Sequence, residues 1–382
     1  MKVVQVNCVF DKGVSDPEAL LERYMTLTGW GEALLAAGAG SVAAVQRFHR
    51  SLRLTKNGIE YVFVADGGPG HLSPWRVSRP LARAVAALSP DVAHVNGLEF
   101  PMQVRHLRSI LPKASAVVVQ SHAGGGTVGR APARRLLWRV ARSAVDGFLF
   151  AAQEHAEAGR RAGVVASWQQ AYLVMEASTT FRPVPRADAR TASGIAGAPA
   201  VLWVGRLTAN KDPLTVIDGF ARALTALPDA SLTMIFGTDE LLPDVRRRIA
   251  SSAALRGRVR LVGDVAHEQM PVFYSAADIF IVGSHREGSG YALMEACACG
   301  AVPVVTDIPT FRLLTADGSL GELWTAGDAI DCGRALMQAG HGDLTPRREQ
   351  VASHFARALN WPAVGRRALD IYADVLKNRG VQ

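Results

Sequence analysis

Short apolar runs recur along this chain, and most are followed by a stretch in which apolar positions return every three or four residues. In the first half the strand-like runs fall at 3–9, 42–48, 61–65, 92–95, 116–120 and 147–150. Each is nearly continuous in Val, Ala, Ile and Phe, as expected for strands buried on both faces. Between them the pattern predicts helices near 78–88, 102–110, 134–143 and 153–162. An earlier helix starts at Ser15-Asp-Pro-Glu18, a capping box with proline in the first turn, and runs to about Ala37 with Gly38 as its stop. Gly29 and Gly31 weaken its middle and mark the place where it would break. Strands alternating with helices imply a parallel sheet covered on both faces.

From 182 to 200 the periodicity disappears and Pro, Gly and Ala dominate, which reads as an interdomain linker. Alternation then restarts. Strands are expected at 200–204, 232–236, 259–262, 277–284 and 301–306, with helices at 213–226, 242–252 and 268–274. Helices near 329–338, 347–359 and 361–376 close the sequence. No repeat of 20–50 residues is present. A length of 382 residues exceeds what one core usually supports. The expected organisation is a domain over 1–185, a second over 198–358, and a helix over 359–382 packing back on the first.

Composition narrows the function classes. Hydrophobic residues make up 49% and charged residues 20%, an ordinary globular mixture. No apolar run reaches the roughly 20 residues that span a bilayer, and Met1-Lys-Val-Val-Gln-Val enters a strand without a leader-like apolar stretch. The cytoplasm is therefore the expected compartment. Net charge is +8, which suits an anionic ligand or an anionic membrane surface. Zinc-finger spacing and aromatic-basic strands are missing, so nucleic acid is not an expected partner. Cys8, Cys297, Cys299 and Cys332 fit reduced thiols, and none has metal-ligand spacing.

Candidate chemistry concentrates in Glu287-Gly-Ser-Gly-Tyr-Ala-Leu-Met-Glu295. The run lies between two apolar strands. A glycine-bearing turn leading into a helix brings backbone N–H groups and a helix N-terminus to one point, which is an anion site. The flanking carboxylates are poor phosphate ligands but good acceptors for sugar hydroxyls. A ligand with a diphosphate in the middle and polyols at both ends, a nucleotide-sugar, fits that arrangement. Arg206 and Lys211 follow the strand at 200–204, where ligands of open α/β sheets bind. Two cations there suit a leaving nucleoside diphosphate whose charge grows as the sugar bond breaks. In the first half His122 ends the strand at 116–120, positioned to bond a sugar hydroxyl or help place the acceptor. His94 and Asn96 end the preceding strand and read as wall or packing groups. The Gly124–Gly126 run suits close backbone approach or mobility. The segment 130–142 is basic and amphipathic, with Leu136, Leu137, Trp138 and Val140 among its arginines, and is a candidate for contact with an anionic membrane.

These residues together resemble the retaining GT-B glycosyltransferases of family GT4. The resemblance rests on Gly205-Arg206, Lys211, the Glu287–Glu295 spacing and Ala298-Cys-Gly-Ala-Val-Pro-Val-Val305, with a terminal helix similar to 359–372. It implies an α/β GT-B fold of two facing, doubly wound Rossmann-like domains with a C-terminal crossover helix. Arg206 and Lys211 would bind the diphosphate, Glu295 the ribose, and Glu287 the transferred sugar. Gly288, Ser289, Gly290, Tyr291 and Ala292 would meet phosphate and sugar, Val265 would frame the base, and His122 would sit beside the sugar. The resemblance further implies retention of anomeric configuration and no bound metal or other cofactor. Departures from the family pattern are Ser289 for a common phenylalanine, a lone Gly13 after the first strand, replacement of Asn-Gly within Met175-Glu-Ala-Ser-Thr-Thr-Phe-Arg-Pro183, and Asp307-Ile-Pro-Thr-Phe311 in place of a glycine pair. They bear on sugar and acceptor specificity more than on donor binding.

The resulting expectation is transfer of a hexosyl or N-acetylhexosaminyl group from a nucleotide-sugar to a hydroxyl acceptor. UDP-sugar comes first, ahead of GDP- or ADP-sugar. The acceptor would be a glycan, a lipid-linked saccharide or a natural product. A nucleotide-sugar 2-epimerase and a non-catalytic donor-binding homologue are the alternatives.

Overall fold

A computed structural model describes residues 1–68, 70, 72–122 and 132–380. The Gly124–Gly126 run, and Arg130 of the basic segment, lie outside the described residues. The chain divides into two compact units, Met1–Ser178 with Trp361–Gln382, and Thr179–Asn360.

Unit 1 is built on eight strands: β1 (Lys2–Asn7), β2 (Ser41–Arg47), β3 (Leu52–Lys56), β4 (Ile59–Val64), β5 (Val92–Asn96), β6 (Ala116–Gln120), β7 (Gly147–Phe150) and β8 (Ala171–Leu173). Their order is β3-β4-β2-β1-β5-β6-β7-β8. All pairs are parallel except β3–β4. The central strands are continuous Val and Ala because helices cover them, and β1, β5 and β6 carry no fully exposed position. β3 alternates half-buried and exposed residues and turns into β4 through Asn57-Gly58, both at positive φ.

The first helix breaks at Tyr24 (φ −106°, ψ 67°), giving Pro17–Arg23 and Met25–Ala36, and not at Gly29 or Gly31. Those glycines serve packing. A Cβ on Gly29 would lie 2.4 Å from the Trp361 ring, so the terminal helix Trp361–Gly380 approaches only because the position is bare. That helix also delivers Tyr372 into the unit 1 core. Its hydroxyl accepts from Trp30 Nε1 at 3.2 Å and meets His94 Nδ1 at 2.7 Å. His94 is therefore a packing residue. Burial pushes its pKa down to about 3.

The helix Pro132–Ala141 buries Trp138, whose Nε1 donates to Leu98 O at 2.9 Å, while Leu136 and Val140 stay exposed among the arginines. Among the described residues no helix is long and apolar enough to cross a membrane.

Unit 2 holds β9 (Ala200–Gly205), β10 (Ser231–Phe236), β11 (Val259–Gly263), β12 (Ile279–Val282), β13 (Val302–Thr306) and β14 (Glu322–Trp324), ordered β11-β10-β9-β12-β13-β14 and parallel throughout. The stretch expected to be a structureless linker instead forms a helix, Arg186–Ser193. Two of its arginines explain it. Arg186 and Arg190 (2.9 Å) both pair with the buried Asp278, which also accepts from Ala200 N at 2.8 Å. A segment rich enough in Pro, Gly and Ala to read as linker is thus pinned by a carboxylate far along the chain.

Candidate functional site

Parallel sheets present their loops at the carboxyl ends of the strands, and in unit 2 two such loops are tied together. The first follows β9 and carries Arg206 and Lys211. The second follows β12 and runs from Gly283 to Gly290. Asp212 caps the helix Pro213–Ala223, accepting from Thr215 N at 3.3 Å, and its other oxygen meets His285 Nε2 at 3.1 Å. His285 N donates to Asn210 O at 2.9 Å, and Asn210 Nδ2 donates to Arg286 O at 3.0 Å. This lacing brings Lys211 to Glu287, where ammonium and carboxylate form a hydrogen-bonded ion pair, each side chain 15% exposed. Ser284 Oγ donates to the same carboxylate oxygen at 2.6 Å. Arg206 sits exposed at the end of β9 with no ion pair among the described residues.

The helix Tyr291–Ala298 begins immediately after this pair. Gly290 is its N-cap at φ +67°, and no side chain caps it. A Cβ on Gly290 would lie 2.8 Å from Leu314, so both dihedral and space require glycine. Gly288 and Ser289 form the half-buried turn, Tyr291 is exposed, and Ala292 is half-buried at the helix start. Thr310 Oγ1 holds the turn from behind through Glu287 O at 3.0 Å and Gly288 O at 3.1 Å. Glu295 lies one turn further, 8% exposed, and belongs to a second cluster: His267 Nε2 is 2.8 Å from one oxygen and Tyr274 Oη donates to the other at 3.0 Å. Burial beside that carboxylate raises the Tyr274 pKa well above its ordinary value, so the phenol remains a donor. Val265 is half-buried in the loop after β11.

His122 ends β6 in unit 1. Its Nε2 is 2.9 Å from Asn96 Oδ1, and its Nδ1 is 3.4 Å from Glu176 Oε2. Asn96 Nδ2 in turn donates to Asn7 Oδ1 at 2.6 Å. Desolvation lowers the His122 pKa, with the Glu99 charge opposing, although a third of the side chain remains exposed. These residues line a cavity of ≈ 340 Å³ at the carboxyl ends of β1, β5 and β6. Asn96, expected as wall, is the direct partner of His122.

Sequence reasoning passed over Ser284, Thr310, His267, Tyr274 and Glu176. Ser284 and Thr310 lie close to the glutamate motif and could have been suspected from it. His267, Tyr274 and Glu176 reach their partners only through tertiary packing. All four cysteines are buried, and burial pushes the thiols of Cys297 and Cys299 up to about 12 and about 11. Among the described residues, no three His, Cys, Asp or Glu side chains are grouped to hold a metal ion.

Comparison with known proteins places this geometry. The chain is 27% identical over 209 residues to a D-inositol 3-phosphate glycosyltransferase of Streptosporangium roseum, covering 52% of this chain and 48% of that one. The match thus spans about half the length of that relative. It is 26% identical to a GDP-mannose:cellobiosyl-diphosphopolyprenol alpha-mannosyltransferase of Xanthomonas oryzae, over 78% of each chain. Among solved structures, Anabaena HepE in complex with UDP and glucose covers all of both chains at a TM-score of 0.62 and 15% identity, a likeness of fold. That fold is GT-B. Residues 186–353, which contain both laced loops and the capped turn, match the model of the family described as glycosyl transferases group 1.

Proposed function

We propose that this protein transfers a hexosyl or N-acetylhexosaminyl group from a nucleotide-sugar, UDP-sugar before GDP- or ADP-sugar, to a hydroxyl of an acceptor, with retention at the anomeric carbon. The observation carrying this reading is the Lys211–Glu287 pair, set at the side-chain-uncapped start of the helix Tyr291–Ala298. An ammonium has three donors. Glu287 and the ion pair use one, which leaves two for phosphate oxygens. Arg206, exposed and without an ion pair among the described residues, adds a second cation, and the first amides of the helix add a dipole. As the glycosidic bond breaks, negative charge accumulates on the departing diphosphate, and preset positive groups lower that barrier. Glu287 accepts from a hydroxyl of the transferred sugar. Glu295, held by His267 and Tyr274, accepts from the ribose, and Val265 borders the base. Unit 1 takes the acceptor, with His122 bonding a sugar hydroxyl. The printed names of the relatives support a nucleotide-sugar in general, since one names GDP-mannose and one solved neighbour contains UDP. No observation favours the 2-epimerase or the non-catalytic alternative.

The test is incubation with UDP-, GDP- and ADP-sugars, following release of nucleoside diphosphate with and without hydroxyl acceptors. Acceptor-dependent release is expected. Interconversion of two nucleotide-sugars without release, or tight binding without either, would overturn the proposal.

A further inference from the structure

The cavity of unit 1 has a one-sided charge. It is lined by three carboxylates, Asp11, Glu99 and Glu176, and by five carboxamides, while no lysine or arginine among the described residues lines it. Arg23 stands 3.6 Å from Asp11, and buried Arg47 is hydrogen-bonded to Asp66 through Nε at 2.6 Å. Asp11 is itself occupied, accepting from Tyr24 Oη at 2.7 Å and Gly13 N at 2.8 Å. Glu176 faces His122. Glu99 is half-buried and has no hydrogen bond or ion pair among the described residues.

A second observation points to a ligand. Gln120 is 1% exposed and lines the cavity, yet neither its Nε2 nor its Oε1 makes a hydrogen bond of ordinary geometry, beyond a loose approach to His94. The Nδ2 of Asn7, whose Oδ1 is taken by Asn96, is likewise buried and unsatisfied. Buried amides without partners are destabilising unless something supplies the missing bonds. A carboxamide both donates and accepts, as hydroxyls do. Groups that satisfy Gln120 and Asn7 while tolerating three carboxylates are hydroxyls and a protonated amine. A phosphate or carboxylate would face three carboxylates there with no lysine or arginine among the described lining residues to offset them.

We propose that this cavity selects an acceptor of the amino-polyol class, an amino-sugar or aminocyclitol, with its ammonium on Glu99 and its hydroxyls on Gln120 and Asn7, and that it excludes phosphorylated acceptors. The inference rests on the reading of unit 1 as the acceptor side. It separates this chain from a relative whose name specifies a phosphorylated inositol.

The experiment is calorimetric titration of the full chain at pH 7 with glucosamine, glucose and glucose 6-phosphate, with UDP titrated separately. Glucosamine is expected to bind about tenfold or more tighter than glucose, the size of one charge-assisted hydrogen bond, and glucose 6-phosphate weakest. Glu99→Gln should bring glucosamine and glucose within about twofold. Glu99→Lys, at a half-buried side chain with no partner to lose, should reverse the order in favour of glucose 6-phosphate. Equal binding of glucosamine and glucose, a wild-type preference for glucose 6-phosphate, or binding of none of the three overturns the proposal. The UDP titration keeps the two readings apart. Donor binding without the amine preference sinks this inference alone, whereas the amine preference without nucleotide binding sinks the glycosyl-transfer reading.

Discussion

Replacing Lys211 by methionine separates a structural ion pair from a working one. The substitution keeps the length of the stem and removes the ammonium that Glu287 holds, leaving that carboxylate with Ser284 Oγ at 2.6 Å as its remaining bond. Both side chains are 15% exposed, so the pair exceeds the 0–1 kcal/mol of a surface bridge. It falls short of the 3–5 kcal/mol lost when a fully buried pair is broken. A stability loss of about 1–3 kcal/mol is therefore expected, read as a lower urea midpoint at unchanged slope. Glu287→Gln should cost a similar amount, and the double variant should cost less than the sum, because each single change already breaks the same contact. Catalysis should respond differently. If Lys211 also supplies bonds to the departing diphosphate, losing about 1.5–3 kcal/mol of charge-assisted bonding lowers kcat/KM by about tenfold to about a hundredfold. The assay is diphosphate release under conditions where the variant is fully folded. A kcat/KM within twofold of wild type, together with the expected shift in urea midpoint, would refute the catalytic role and leave Lys211 as a brace between two loops.

Three further outcomes are expected. Tyr274→Phe removes one of two side-chain bonds to buried Glu295, so nucleotide-sugar Kd should rise by about fivefold, for about 1 kcal/mol, with kcat little changed; a loss of kcat at constant Kd contradicts the ribose assignment. For His94, the folded pKa of about 3 lies below the unfolded value of about 6.5. Between these values the unfolded chain binds the extra proton, so the stability contributed by the neutral ring is full above about pH 6.5 and is lost as pH falls towards 3. Urea unfolding should show wild-type stability falling faster with acidification than His94→Gln, by about 1.4 kcal/mol per pH unit below pH 6, and parallel pH curves would disprove this account. Gly365→Ala gains about 1 kcal/mol of helix propensity but sets a Cβ 2.2 Å from Ala33 O. Displacing backbone costs more than that gain, so the melting temperature should drop, and a rise would contradict the packing described.

The parts of the fold that were legible in sequence are those with local signatures. Buried parallel strands are continuous apolar runs, and β1, β2, β5 and β6 of unit 1 and β9, β10 and β13 of unit 2 announce themselves this way. β3 escaped because its charged outward positions dilute the run, although Asn57-Gly58 is a hairpin signal. β8 and β14 are three residues each, too short for any period. The helix Arg186–Ser193 is invisible locally, since its meaning is Asp278, some ninety positions later. The two glycines in the second helix look like a break when read alone, yet Gly29 is a seat for Trp361 and Gly31 lies against Ile59. The site divides in the same manner. Glu287 and Glu295 share one motif, and Lys211 stands after a recognisable strand. Ser284, three residues before Glu287, was within reach of the motif, whereas His267 and Tyr274, which hold Glu295, follow only from tertiary packing.

The return of the helix Trp361–Gly380 to the first unit carries a consequence for biosynthesis. During translation, residues 1–178 leave the ribosome with Trp30 and His94 missing their Tyr372 partner, and with the groove at Gly29 unfilled. The second unit, contiguous in sequence, has every strand of its sheet before that helix is made. The amino-terminal unit therefore matures last, and a fragment cut at Ser178 would carry an open apolar seam that a chaperone, or another nascent chain, is free to cover.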